Sequence, residues 1–212
     1  KYLLLCIFAF HSYHASSQVL ISLIFGDKLN SPDVEFGLEG GVNFSHLGGL
    51  ESKNSLGTFN LGLYFDIRMK DQWYLYTGVL VKSKLGTDKL KEGDLDFLKV
   101  DIYPEAGNYS QVLNYFLVPG LAKYKLKNHF YFEAGPQLGW MYKSWVEYNS
   151  DIDGKDARIR EYNKDLINWF DIGMVGGMGY QLLKGKGMTI GIKYYYGFLD
   201  VYKEKSGTKN NS

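Results

Sequence analysis

The side chains that could take part in chemistry in this sequence are acidic and basic groups at alternate positions of otherwise apolar stretches. Side chains alternate between the two faces of a β-strand, so this spacing predicts strands with one apolar face and one charged face. Charges on such a face either line a path for solutes or pair with one another. The charged face contains Glu35, Glu39, Asp66, Arg68, Lys82, Lys84, Lys123, Glu133, Lys143, Asp171 and Lys193.

Catalytic and metal-binding residues are not predicted. Past the first 17 residues the chain has only two histidines, His46 and His129, which lie at opposite ends of the predicted strands, so no nucleophile–base pair forms. The segment from Asp151 to Asp156 resembles the start of a calcium-binding loop, but Tyr162 stands where that loop requires glutamate. The interpretation is therefore no catalytic residues, no metal and no cofactor.

Alternating strands account for most of the chain. In the stretch from Phe130 to Lys143, aromatic and aliphatic residues occupy one face, and polar residues and glycines occupy the other. The same alternation recurs over 34–45, 58–69, 73–85, 109–126, 166–183 and 188–199. The 212 residues are 17% aromatic and include 25 glycines, which is typical of a sheet protein. The net charge of +1 gives no reason to propose nucleic acid as a partner.

The connections between these strands alternate between short turns and long polar loops. Long loops are predicted at 46–57, 86–108, 146–165 and from 200 onward, and each turn between them has about three residues. This alternation predicts an all-β, antiparallel, up-and-down transmembrane β-barrel. Eight strands are expected because such barrels have even strand numbers, and about seven are found. Either the last strand is missing from the chain, or Val19–Phe25 closes the barrel.

The beginning of the chain predicts export. Lys1, the apolar run Tyr2–Phe10 and the small residues Ala15–Ser17 are typical of a Sec signal peptide over 1–17. A lead segment would follow over 18–33, and the barrel would cover 34–212. Cys6 lies within the signal, so the exported chain would have no cysteine and no disulfide.

Three stretches resemble the PorT-type, porin-like family of outer-membrane β-barrels of Gram-negative bacteria. They are LISLIFGDKLNSPDVEFGLEGGVNFS (20–45), YFLVPGLAKYKL (115–126) and FYFEAGPQLGWMY (130–142). The resemblance implies an eight-stranded barrel in the cell outer membrane. It implies contact with outer-membrane lipid and the barrel-assembly machinery, and it leaves the activity open.

Three functions remain open. The first is a barrel with a largely filled lumen that serves as a membrane anchor, a recognition element or a component of an envelope complex. Its partners would bind through loops 86–108 and 146–165. The second is a narrow pore for small solutes, and the third is a soluble, lipocalin-like binder of an apolar ligand. A barrel of about eight strands has an interior that side chains can fill, which favours the first.

Overall fold

The computed structural model describes residues 30–152, 155–185 and 188–212. The predicted signal peptide over 1–17 and the alternative closing strand Val19–Phe25 lie outside these residues. The elements are β1 (Val34–Leu47), β2 (Asn54–Lys70), β3 (Trp73–Asp88), α1 (Glu92–Leu98), β4 (Asn108–Lys125), β5 (Phe130–Ile152), β6 (Lys155–Tyr162), a 3₁₀ turn (Lys164–Leu166), β7 (Phe170–Gln181), β8 (Thr189–Gly197) and β9 (Asn210–Asn211). A tight turn, Leu182–Gly185, follows β7. No helix in the described ranges is long and apolar enough to cross a membrane.

The strands form one closed antiparallel ring. Each strand from β1 to β5 pairs with its neighbour in sequence, β5 also pairs with β7, and β7 pairs with β8. β9 joins β8 to β1, which closes a ring of eight strands, while β6 is a ninth strand attached to β5 outside the ring. The predicted fold class, an eight-stranded antiparallel barrel, is confirmed.

The two residues of β9 make the closure. Asn210 and Asn211 pair with Leu47 and His46 of β1, and Asn211 also pairs with Tyr196 of β8. Ser212 continues the contact through two backbone hydrogen bonds with Tyr195, of 2.5 and 3.1 Å. The closure between β1 and β8 therefore lies at one end of the barrel.

The outer surface is apolar and has a girdle of aromatic residues at each end. Phe132, Met174 and Met178 are about half exposed, as expected for the predicted outward face of β5 and β7. From Phe170 to Tyr180 the strand covers ten residue steps, or about 25 Å of height at the usual rise and tilt, which matches the apolar band of a membrane barrel. Aromatic pairs border this band: Trp73–Tyr124 and Phe130–Tyr180 at one end, and Phe116–Tyr142 and Trp140–Phe170 at the other.

Three predicted loops are more ordered than the sequence suggested. The segment 146–165 is mostly a hairpin, in which β5 continues to Ile152 and β6 returns beside it. The segment 86–108 contains α1, and the loop between β1 and β2 spans only 48–53. Asp153–Gly154 was the missed signal for the hairpin, because an Asp-Gly pair between alternating stretches favours a two-residue turn.

The register of β1 against β2 that follows from the predicted loop 46–57 is wrong by two residues. A loop centred on 51–52 would place Glu35 opposite Arg68, but Glu35 lies opposite Asp66 and Val34 opposite Ile67. The cause is the shorter loop, which moves the centre of the hairpin toward residue 50. Inward residues still pair with inward residues, because a shift of two residues preserves the face on which each side chain lies.

Candidate functional site

The barrel has a short-turn end and a long-loop end. The connections β2–β3, β4–β5 and β7–β8 lie at the short-turn end, and α1, the β5–β6 hairpin and the segment 198–209 lie at the long-loop end. The interior is different in the two halves, so each half is described separately.

Buried charges fill the interior of the short-turn half. Lys123 Nζ lies 3.0 Å from Asp66 Oδ1 and 3.3 Å from Glu133 Oε2, and all three side chains are almost fully buried. Lys125 Nζ lies 2.9 Å from Asp66 Oδ2 and 3.3 Å from Glu35 Oε2. Removing one partner of such a buried pair typically costs about 3–5 kcal/mol, because the other charge stays buried without compensation.

The same cluster extends across the closure of the barrel. Lys193 of β8 reaches Glu39 of β1 at 2.6 Å and Glu133 of β5 at 3.4 Å. Glu133 makes these contacts as ion pairs only, because neither of its oxygens has a hydrogen-bond partner among the described residues. The ion network therefore links β1, β2, β4, β5 and β8. Its members are Glu35, Glu39, Asp66, Lys123, Lys125, Glu133 and Lys193.

Tyrosines enclose the ion network. The Tyr76 hydroxyl donates to Glu39, and the Tyr64 hydroxyl donates to Glu35 at 3.1 Å. The Tyr76 ring lies 4.3 Å from Lys123 Nζ and 4.0 Å from Lys193 Nζ, within the range of cation–π attraction. These contacts supply hydrogen bonds and negative ring faces that stabilise the buried charges.

Glycines give the large tyrosines room inside the barrel. A Cβ atom at Gly37 would lie 2.6 Å from the Tyr64 ring, and one at Gly179 would overlap the Tyr131 hydroxyl. The glycine-rich stretch of β7, which includes Gly173, Gly177 and Gly179, therefore serves packing in the interior. Glycines within a strand often mark such a close approach of a neighbouring group.

A cavity of about 230 Å³ reaches the ion network from the short-turn end. Asp66, Lys123 and Lys125 line its inner wall, and His129 and Lys184 of the turns line its mouth. Both Asp66 oxygens are already held by lysines. The cavity therefore ends at paired charges.

An apolar cluster fills the interior of the long-loop half. Leu85, Leu113 and Tyr115 of the barrel wall are almost fully buried, and Leu95 and Leu98 of α1 pack against the same cluster. The apolar side chains of α1 pack into this end of the barrel, so the helix closes it.

A buried aspartate fixes α1 to the neighbouring loop. The Asp94 carboxylate accepts hydrogen bonds from the backbone N–H groups of Glu51, Ser52 and Lys91, at 2.7, 3.0 and 3.2 Å. It thus caps the start of α1 and holds the β1–β2 loop against it. Ser52, which the loop prediction would expose, is fully buried here.

Most of the predicted lumen-facing charges lie inside the barrel. Glu35, Glu39, Asp66, Lys123, Glu133 and Lys193 belong to the ion network. Asp171 is buried and lies 3.5 Å from Asn210 Nδ2, near the closure. Arg68 lies at the short-turn mouth, where it is exposed and donates to the Tyr74 hydroxyl at 2.9 Å.

Lys82, Lys84 and Lys143 were predicted to face the lumen but lie on the outside. A bulge in β3 after Leu80 reverses the alternation, so that Ser83 and Leu85 face inward and Lys82 is exposed. A second bulge opposite Tyr115 places Met141 inside and Lys143 outside. Alternation beyond a bulge cannot be read from the sequence without the position of the bulge, because the extra residue inverts every later side chain.

Sequence reasoning missed Lys125 as a member of the network, whereas the alternation had placed Tyr64 and Tyr76 on the inward face. Lys125 lies on the same face of β4 as Lys123, so the alternation itself would have found it. The two predicted histidine positions are separated as expected: His46 ends β1 at the long-loop end, and His129 lies in the β4–β5 turn. No group of three or more His, Cys, Asp or Glu in the described ranges is arranged to hold a metal ion.

The β5–β6 hairpin has a charged and aromatic outer face. Arg160 Nε donates to Glu147 at 2.7 Å, and its guanidinium lies 5.1 Å from the Trp145 ring. Burial raises the pKa of Glu147, but hydrogen bonds from Arg160 and Trp145 outweigh it and lower the pKa below its ordinary value. Lys143 Nζ lies 5.0 Å from the centre of the Tyr162 ring.

A closed antiparallel barrel with an apolar exterior, a girdle of aromatic residues at each end and a charged interior belongs to the class of membrane β-barrels. The family model described as "Outer membrane protein beta-barrel domain" matches residues 26–203, which is well over half of the chain. The protein therefore belongs to this family, and its location is the outer membrane. No curated protein and no solved structure matches the chain.

In this family's setting, the short turns of a bacterial barrel face the periplasm and the long loops face the cell exterior. By this rule we expect the ion network and its cavity to lie toward the periplasm, and α1, the apolar cluster and the β5–β6 hairpin to lie toward the exterior.

Proposed function

We propose that this protein is a filled, non-conducting outer-membrane barrel that acts through its extracellular surface. Its role is to hold α1 and the β5–β6 hairpin above the membrane, as a recognition element or as a component of an envelope complex. The observation that carries the proposal is the filled interior, with an apolar cluster in the outer half and paired charges in the inner half.

A filled interior argues against permeation for two reasons. Water or ions would have to displace α1 and the leucines beneath it, which lie against the barrel wall. A solute from the periplasm would then meet Lys123, whose ammonium is held between Asp66 and Glu133. Because three lysines offset three of the four carboxylates, the network has little net charge and attracts a mobile ion weakly.

Conductance tests this part of the proposal. Planar-bilayer recordings of the purified, folded chain are expected to show no stable open state. A matched control is a variant in which residues 89–107 are replaced by a short Gly–Ser linker, which removes α1. Stable channels in the unmodified protein would overturn the proposal and favour the narrow pore.

The exterior surface above the membrane offers apolar groups for a partner. Ile102, Ile159 and Tyr162 are substantially exposed on the segments 99–107 and β6. These residues support the expectation that envelope partners bind through loops 86–108 and 146–165. The lipid-exposed apolar exterior argues against the third candidate, a soluble lipocalin-like binder, since that protein needs a polar outer face.

Cysteine labelling tests whether this surface faces the cell exterior. Ile159→Cys should react with a membrane-impermeant maleimide on intact cells, whereas Asn128→Cys, in the β4–β5 turn, should react only after the outer membrane is permeabilised. The opposite pattern would reverse the orientation and remove the basis for extracellular recognition.

We also propose that the barrel has no catalytic role, needs no cofactor and does not bind nucleic acid. His46 and His129 lie at opposite ends of the barrel, so they cannot act on one substrate. The expected partners are outer-membrane lipid and, during insertion, the barrel-assembly machinery.

A further inference from the structure

The outer side of the barrel carries a row of lysines at and just above its extracellular aromatic girdle. Lys82 lies at the β3 bulge, opposite Leu61 of the outward face of β2. Two residues farther along β3, Lys84 pairs with Asn114, and Asn114 pairs with Lys143. We call Lys82, Lys84 and Lys143 the outer cationic row.

The height of this row follows from the strand register. Phe116 pairs with Trp140, and its side-chain ring stacks on that of Tyr142 with the centres 4.6 Å apart. These residues mark the extracellular aromatic girdle. Asn114, together with its partners Lys84 and Lys143, lies two residues farther from the membrane centre than Phe116, whereas Lys82 lies about level with Phe116. The row therefore extends from the aromatic boundary to the level of the lipid headgroups. The aromatic girdles of membrane barrels lie at the boundary between the hydrocarbon core and the headgroups.

The three ammonium groups have no carboxylate within ion-pair distance among the residues that the structure describes. Glu147 and Asp88, two acidic residues at this end of the barrel, have other partners. Glu147 is held by Arg160 at 2.7 Å and Arg158 at 3.6 Å, and Asp88 accepts a hydrogen bond from Ser110 at 2.6 Å. The row therefore carries uncompensated positive charge.

Aromatic side chains complete this surface. Lys143 Nζ lies 5.0 Å from the Tyr162 ring and 5.8 Å from the Trp145 ring, and Tyr162 is largely exposed. Trp145 is buried, so Tyr162 is the exposed ring of the two. An exposed aromatic ring beside a cation fits a headgroup, because the ring lies against apolar or sugar surface while the cation meets the phosphate.

We propose that the outer cationic row binds the phosphate groups of outer-leaflet lipids, and thereby fixes the height and lateral surroundings of the barrel. The occupant is a lipid headgroup because the row lies on the lipid-facing side, between apolar wall below and hairpin above. Each lysine near an anionic lipid surface contributes about fivefold to affinity.

The test is lipid binding to the folded chain in detergent micelles, measured by native mass spectrometry. The probes are diphosphorylated lipid A, the same lipid after dephosphorylation, and free pyrophosphate. The protein is expected to bind the diphosphorylated lipid and to bind the other two much more weakly. Equal binding of free pyrophosphate, or equal binding of the dephosphorylated lipid, would overturn the proposal.

The variant that tests the row is Lys82→Gln with Lys84→Gln and Lys143→Gln. Its affinity for diphosphorylated lipid A should fall on the order of a hundredfold. The matched control changes Lys53, Lys89 and Lys99 to Gln, which removes the same charge from exposed loops. A heat-modifiability gel shows that each variant is folded. Loss of binding equal to that of the control, or no loss in the row variant, would overturn the proposal.

Discussion

At the scale of single residues, some interior charges pair across strands that are not adjacent. Lys125 of β4 pairs with Glu35 of β1 and with Asp66 of β2, two strands that do not border β4. Arg68, the partner that a longer β1–β2 loop would have given Glu35, bonds Tyr74 instead. Which charges are coupled therefore depends on the curvature of the barrel as well as on the register of one hairpin.

A double-mutant cycle distinguishes these pairings. Glu35→Gln and Lys125→Met should show a coupling free energy of about 0.5–1 kcal/mol, because the pair is partly exposed and screened by water. Glu35→Gln and Arg68→Met should show a coupling near zero. The measurement is urea unfolding of the barrel in lipid vesicles. A larger coupling to Arg68 than to Lys125 would mean that the β1–β2 register is wrong.

The lowered pKa of Glu147 predicts acid-dependent loosening of the β5–β6 hairpin. Because its folded pKa lies below the ordinary value of 4.5, its contribution to stability is complete above that value and is lost as the pH falls through the folded pKa. The cations that face it are Arg158 and Arg160 of β6, and its cross-strand neighbour Ser110 donates a hydrogen bond to Asp88.

Hydrogen exchange measures this effect. Amides that pair β5 with β6 around Glu147 should exchange faster below about pH 4 than at pH 7, after correction for intrinsic rates. The variant Glu147→Gln should remove most of this difference, because it no longer loses a charge. An unchanged pH profile in that variant would assign the effect to another group.

At the scale of elements, α1 is a short helix of seven residues that depends on tertiary contacts. Isolated helices of this length are unstable in water, so the apolar contacts of Leu95 and Leu98 and the Asp94 cap must hold it. The charged composition of 86–108 hid this helix, because only a few apolar residues face the barrel.

Asp94→Ala should release both α1 and the β1–β2 loop. The change leaves the backbone N–H groups of Glu51 and Ser52 without their acceptor, at a cost of about 1–3 kcal/mol for a buried group. Limited proteolysis should then cut within 89–107 faster than in the unmodified protein. Asp96→Ala, at an exposed position of the same helix, is the control and should change little. Equal protection in both variants would contradict the role of Asp94.

At the scale of the whole molecule, the barrel separates two kinds of interior and one kind of exterior. The outer surface is apolar between its two aromatic girdles. Inside the barrel, the short-turn half is ionic and the long-loop half is apolar. Charges are stable inside because each has partners there, and they would have none in lipid.

Leu63→Arg should therefore be costly, because Leu63 lies on the outward face near the middle of β2. Arginine at the bilayer midplane costs about 2–4 kcal/mol. The control is Ile102→Arg, at an exposed residue of the segment 99–107, which should be nearly neutral. The measurement is urea unfolding in lipid vesicles. Equal effects of the two changes would place Leu63 outside the membrane.

The sequence by itself determined the class of fold and the inward–outward pattern of the regular strands. It could do so because alternation is a local property: a strand between lipid and lumen must change polarity at every residue. For the same reason, the outward residues Phe132, Met174 and Met178 and the inward residues Asp66, Lys123 and Glu133 were predicted from their neighbours alone.

The tertiary structure decided what local alternation does not encode. Bulges in β3 and β5 moved Lys82, Lys84 and Lys143 from the lumen to the lipid side, because one extra residue inverts the pattern beyond it. Partners such as Lys125 and Glu35 meet only because the sheet closes and brings distant strands face to face across the lumen. The apolar plug of the outer half likewise exists only because α1 folds back into the end of the closed barrel.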